Sequence, residues 1–160
     1  MNTLSERRND LTRTIILDSG IAVLESAPVS ELTVRAAAKH AGMSERTVFR
    51  YFPSREELLD AIAEHMRMRL DLPPPPTSVE ALLEAPDLLY RAYEAKTSLI
   101  KAALHSEIFH RIREEHGRAR LSSLQELLAR LAPHCAEQER KIAAANIRYY
   151  LTATTWHYYR

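Results

Sequence analysis

Only one cysteine, Cys135, occurs in 160 residues, so no internal disulfide can staple the chain and nothing points to export. Glycine is scarce, at three, which disfavours a β-rich architecture and the Gly-rich loops that cradle nucleotide phosphates. No stretch approaches the roughly 18 consecutive apolar residues of a membrane span. Met1 to Asp10 is polar and lacks the apolar region of a signal peptide. Charge of one sign is also missing: 22 Lys and Arg stand against 21 Asp and Glu, for a net charge of +1. That balance excludes a disordered acidic or basic tail, and it excludes polyanion binding through bulk charge. Any nucleic-acid site must come from local clustering. The expectation is a cytoplasmic helical protein with no membrane partner, long enough for one domain or for a small module fused to another.

The periodicity is helical almost throughout, and strand-like alternation is absent. Pro73 to Pro76 form the strongest break, a stiff extended spacer and a domain boundary. Four helices are predicted before it. The first runs from about Leu11 to Glu25, with Ile16, Gly20, Val23 and Leu24 on one face. Thr33 caps a short second helix, Val34 to Lys39. Ala41-Gly42-Met43 makes a tight turn in which Gly42 takes a positive φ. Ser44 caps a third helix, which Phe52-Pro53 ends near Tyr51. Ser54 and Glu57 form a capping box that opens a fourth. After the prolines, a capping box at Thr77 opens a short helix to about Glu84. Pro86 starts a longer one to about His105. A helix from Glu107 to Leu131 and a last one from Ala136 to Tyr159 follow.

Thr33 to Arg55, TVRAAAKHAGMSERTVFRYFPSR, carries the most information. It is a short helix, a glycine turn and a second short helix, the arrangement that sends its second helix into the DNA major groove. Arg35, Lys39, Arg46, Arg50 and Arg55 face one acid, Glu45, a local charge of +4 in a chain of +1. Thr33-Val34, Ala38, Ala41-Gly42-Met43-Ser44, Thr47-Val48-Phe49, Tyr51-Phe52-Pro53 and Arg55-Glu56-Glu57-Leu58 resemble the signature of the TetR family of transcriptional regulators. Ile16-Leu17-Asp18 matches that family's first-helix core. The resemblance covers about residues 11 to 70. Four departures stand out. Ala37 replaces a larger aliphatic, Pro28 stands where a glycine usually turns the chain, and Phe49 replaces a tyrosine. The chain also stops at Arg160, where family members usually add a further long helix; either the C-terminus is naturally short or the sequence was cut.

The fold class expected is all-α. An N-terminal helix-turn-helix domain (1–53, homeodomain-like, three helices) is followed by a connecting helix (54–72), the proline linker (73–76) and a helical ligand-binding and dimerisation domain (77–160). Ser44, Glu45 and Arg46 open the recognition helix, and Arg46 suits guanine O6 and N7. Thr33 and Thr47 offer hydroxyls to phosphate, although Thr33 is equally a cap. Arg50 and Tyr51 lie on the exposed part of the helix. The resemblance implies base or phosphate contact for Arg35 and phosphate contact for Arg55. Ala38, Ala41, Val48, Phe49, Phe52 and Leu58 are expected in the core.

The C-terminal half is Leu- and Ala-rich with interspersed rings. Tyr90, Tyr93, His105, Phe109, Asn146, Tyr149 and Tyr150 suit a mostly apolar pocket with a few orienting polar groups, and the resemblance places an inducer there. Ile142, Tyr149, Ala153 and Trp156 fall on one side of the last helix and suit a dimer interface. No enzyme, cofactor or metal site is read. His105, His110 and His116 are spaced five and six apart, off one helix face, and no GxSxG, P-loop or GxGxxG occurs. The function expected is a homodimeric repressor of a palindromic double-stranded DNA operator, released by a small apolar or amphipathic ligand. The alternative is a DNA-binding protein whose helical half docks a protein partner.

Overall fold

The computed structural model describes residues 3–104 and 108–160, with the side chains of Val29, Phe109 and residues 112–116 outside the description. Nine α-helices and one 3-10 turn, Val29–Glu31, are found among the described residues, with no strand. The helices are α1 (Leu4–Ser26), α2 (Val34–His40), α3 (Glu45–Tyr51), α4 (Arg55–Leu70), α5 (Val79–Ala95), α6 (Thr97–Leu104), α7 (Ile108–Leu131), α8 (Glu137–Tyr150) and α9 (Ala153–Tyr159). They form two compact units. One comprises Met1–Arg69 with Lys101–Arg111; the other comprises Leu70–Ile100 with Ile112–Arg160.

In the first unit α1 packs on α2, and α2 on α3. Ile16, Leu32, Val48, Leu58, Leu59 and Ile62 are fully buried and fill its core. Each such side chain contributes about 1.5–3 kcal/mol on leaving water. Gly20 is missing a side chain for a reason: a Cβ there would stand 2.3 Å from Ile62 Cδ1. The bare backbone lets α1 and α4 approach closely. Asp18 pins the same pair of helices, accepting from His65 Nε2 at 2.8 Å and Arg69 Nη1 at 2.9 Å. The start of α7 is tied to α4 by Arg111, which pairs with Glu56 and Asp60.

In the second unit α9 packs on both α5 and α8. Ala85, Leu89 and Tyr93 make the buried stripe of α5. The proline segment lies along α7: Arg120 Nη2 donates to Pro73 O at 3.2 Å, Ser123 Oγ to Pro76 O at 2.8 Å and Arg130 Nη2 to Thr77 O at 2.8 Å.

Several helix bounds differ from the expected ones. α1 begins seven residues earlier than Leu11, because Thr3 and Glu6 form a complete capping box. α5 runs through Pro86 instead of restarting there, since its buried stripe continues on either side. That stripe outweighs the one lost backbone hydrogen bond. The helix then breaks at Lys96, whose ammonium donates to Leu70 O at 2.6 Å. The expected last helix is two. Leu151 ends α8, and Thr152 caps α9 through Thr155 N at 3.2 Å.

Candidate nucleic-acid interface

The reading head is built from local signals. Thr33 Oγ1 accepts from Ala36 N at 3.0 Å and starts α2. The helix ends in a double backbone closure: Met43 N donates to Ala38 O at 2.9 Å and Gly42 N to Lys39 O at 3.2 Å. This closure needs a left-handed residue, and Gly42 supplies it with φ +64°. Ser44 Oγ then accepts from Thr47 N at 3.1 Å and opens α3. Val48 is the buried anchor of α3, and Phe52 is buried at its end with Arg13 stacked over the ring at 5.0 Å. Ser54 Oγ accepts from Glu57 N at 3.1 Å and starts α4.

Anchoring Val48 and Phe52 inward turns Glu45, Arg46, Phe49 and Arg50 outward. Arg46 has no ion pair or hydrogen bond among the described residues. Arg50 lies 5.2 Å from the centroid of the half-buried Tyr51 ring. Arg35 on α2 and Glu45 on α3 stand 3.9 Å apart, both largely in solvent, so their pairing is weak and leaves Arg35 available. Ser44 and Thr47 hydroxyls share a hydrogen bond of 2.8 Å. Arg55 is partly spent on the fold, its Nε donating to Leu32 O at 3.1 Å. Phe49 corrects the expected core: it is 46% exposed, because it shares the outward face with Arg46 and Arg50.

An open groove of about 700 Å³ runs beside this face. Met43, Thr47, Arg50 and Tyr51 line one wall, and Ser5, Glu6, Arg8, Asn9 and Thr12 of α1 line the other. The α1 wall was missed from sequence, although Thr3-Leu4-Ser5-Glu6 is a capping box in plain view.

Residues 16–62 match the family model described as "Bacterial regulatory proteins, tetR family". The N-terminal module is similar to that family over these residues. Two relatives share it. A "Nucleoid occlusion factor SlmA" from Marinomonas sp. (strain MWYL1) is 36% identical over 67 residues, 42% of this chain and 34% of the relative. An "HTH-type transcriptional repressor LfrR" from Mycolicibacterium smegmatis is 46% identical over 55 residues, 34% of this chain and 28% of the relative. The matches thus span about a third of the length of these relatives.

Beyond the tetR-family module, the residues expected at a ligand are divided. Tyr93 is buried, and its hydroxyl donates to Leu151 O at 3.1 Å. Burial pushes its pKa up to about 12, against the Arg120 charge, which pulls it down. Tyr90 donates to Tyr150 O at 2.8 Å. Asn146, Tyr149 and Tyr150 are exposed on α8, the two rings edge-on at 5.9 Å. His105 and the side chain of Phe109 lie outside the described residues.

The residues expected at a dimer interface are divided likewise. Ile142 and Tyr149 are exposed, Ala153 is half-buried, and Trp156 is buried. The break at Leu151 turns Trp156 inward, 5.7 Å from the Tyr93 ring, where its Nε1 donates to Glu94 at 3.1 Å. Among the described residues no helix is long and apolar enough to cross a membrane.

Proposed function

We propose that this chain is a homodimeric transcriptional repressor whose tetR-family module grips a palindromic DNA operator. One observation carries the reading: a basic α3 face, held outward by Val48 and Phe52, at the end of a closed helix-turn-helix. Arg46 and Phe49 read base edges, the arginine at guanine and the ring against a thymine methyl. Arg35, Thr33, Thr47, Arg50 and Tyr51 hold phosphates on one side, with Ser44 and Glu45 at the tip. Arg8, Asn9 and Thr12 extend that hold along the groove, and Arg55 braces it. Paired modules place their recognition helices about 34–36 Å apart.

The exposed Ile142 and Tyr149 face of α8 supports pairing of two copies, with Trp156 beneath as a buttress. A small ligand in the second unit releases the operator by preferring a conformation with the wrong spacing between reading heads. Its effect is bounded by its differential affinity for the two states. α4 leads from the reading head into the proline segment and is the route for that coupling.

Selection of bound duplexes from a random pool tests the reading. A near-palindromic consensus is expected. Recovery of sequences with no common element refutes operator recognition.

A further inference from the structure

One buried charge of the second unit is only partly satisfied by the protein. Arg120 of α7 is 7% exposed. Its Nη2 reaches Pro73 O at 3.2 Å, but its Nη1 is buried with no hydrogen-bond partner. A guanidinium in that state is costly, and proteins seldom leave one so. Burial lowers its pKa, and the nearby Arg148 charge lowers it further, against Tyr93, which raises it.

A second guanidinium lies on the same helix face. Gly117 and Arg120 are three residues apart on α7, hence neighbours on its surface. A Cβ on Gly117 would stand 2.5 Å from Arg148 Nη2, so the Arg148 head group rests against bare backbone. Several acids of this unit, among the described residues, have partners of their own. Glu94 holds Trp156 and Arg160, Asp87 holds Arg91, and Glu137 holds Lys141. No carboxylate among the described residues pairs with Arg120 or Arg148. Tyr93 feels the Arg120 charge, and the tilted rings of Trp156 and Tyr90 lie 5.7 and 6.3 Å from the Tyr93 ring.

We propose that Arg120 and Arg148 bind the carboxylate of a small organic acid, whose apolar body lies against the aromatic residues around Tyr93. A carboxylate supplies the missing acceptor for Arg120 Nη1 and relieves the repulsion between the two guanidinium groups. The aromatic surroundings favour an acid with an apolar body over a bare inorganic anion. The proposal rests on the reading of the second unit as a ligand-binding unit and names the class of ligand.

Thermal unfolding of the full chain tests it, with octanoate and benzoate compared with octanamide and benzamide at matched ionic strength. At ten times its dissociation constant, a carboxylate is expected to raise the midpoint by about 3–6 °C while its amide leaves it unchanged. Arg120→Met is expected to abolish the shift and to leave the ligand-free protein as stable as before or more so, because the unmet buried charge is gone. Arg148→Gln retains Arg120 and is expected to weaken the shift. Equal shifts with acid and amide overturn the acid class while sparing the ligand reading. No shift with any probe overturns both. An Arg120→Met midpoint several degrees below the parent shows a structural arginine and overturns the proposal.

Discussion

In the proposed DNA complex, Arg46 and Arg8 take two different roles through position alone. Arg46 projects from the first turn of α3, where base edges come within reach; Arg8 lines the groove wall on α1. Arg46→Ala is expected to cost about 1–3 kcal/mol of discrimination at one base pair. Arg8→Ala is expected to weaken all duplexes alike and to reduce the salt slope by about 1. Fluorescence anisotropy across single-base operator variants separates the two, and uniform losses for Arg46→Ala would move that residue to the phosphates. Tyr93 makes a different kind of statement. Its pKa stands at about 12 in the fold against 10.0 ordinarily, so folding favours the neutral phenol. The stability this confers is complete below about pH 10 and is lost as pH rises to about 12, a loss of about 2–3 kcal/mol. Tyr93→Phe is expected to flatten that alkaline limb in denaturant titrations from pH 9 to 12, apart from about 1 kcal/mol lost with the hydrogen bond to Leu151. An unchanged limb in the variant would assign the alkaline loss to other groups.

Helices whose ends are set by neighbouring residues were legible; those set by distant packing were not. Thr33, Ser44 and Ser54 act within three residues of themselves, and α2, α3 and α4 begin where these caps predict. Gly42 was readable for the same reason, since its positive φ closes α2 locally. Pro86 misled because its local penalty is overruled by the buried stripe of Ala85, Leu89 and Tyr93. Lys96 carries no breaker chemistry, and its break is held by a carbonyl 26 residues away. Thr152 was a missed local signal, a cap with Thr155 three residues on. Phe49, expected in the core, lies outside because Val48 and Phe52 take the inward positions, and its i, i+4 relation to Glu45 sets it on the outer face. Gly20 belongs to this scale too. Gly20→Ala gains helix propensity of about 1 kcal/mol but drives a methyl into Ile62, at about 1–3 kcal/mol. The variant is expected to be net destabilised by up to about 2 kcal/mol, and Ile62→Val in the same chain to recover part of it. A stabilised Gly20→Ala would mean that α1 and α4 have room to spare.

The molecule as a whole joins a module of specific sequence to a unit whose chemistry is written in scattered residues. The first was recognisable because helix-turn-helix function is concentrated in about twenty consecutive positions. The site proposed in the second was legible only in Tyr93, because Tyr93, Arg120 and Arg148 come from three helices and share no spacing. The proposed pairing of two chains makes a prediction about α8. Tyr149→Asp on the exposed α8 face is expected to leave helicity intact, shift sedimentation towards the monomer and weaken operator binding by at least tenfold. A variant that sediments as the parent does would remove α8 from the interface. The outward face of α3, with its groove, is proposed to grip duplex DNA through phosphates and bases. The most direct test is a salt titration of duplex binding for the parent chain and for Arg46→Ala with Arg50→Ala. Affinity is expected to fall linearly on logarithmic axes for the parent, with a shallower slope and weaker binding for the double variant. Affinity indifferent to salt, or identical in the two proteins, would contradict it.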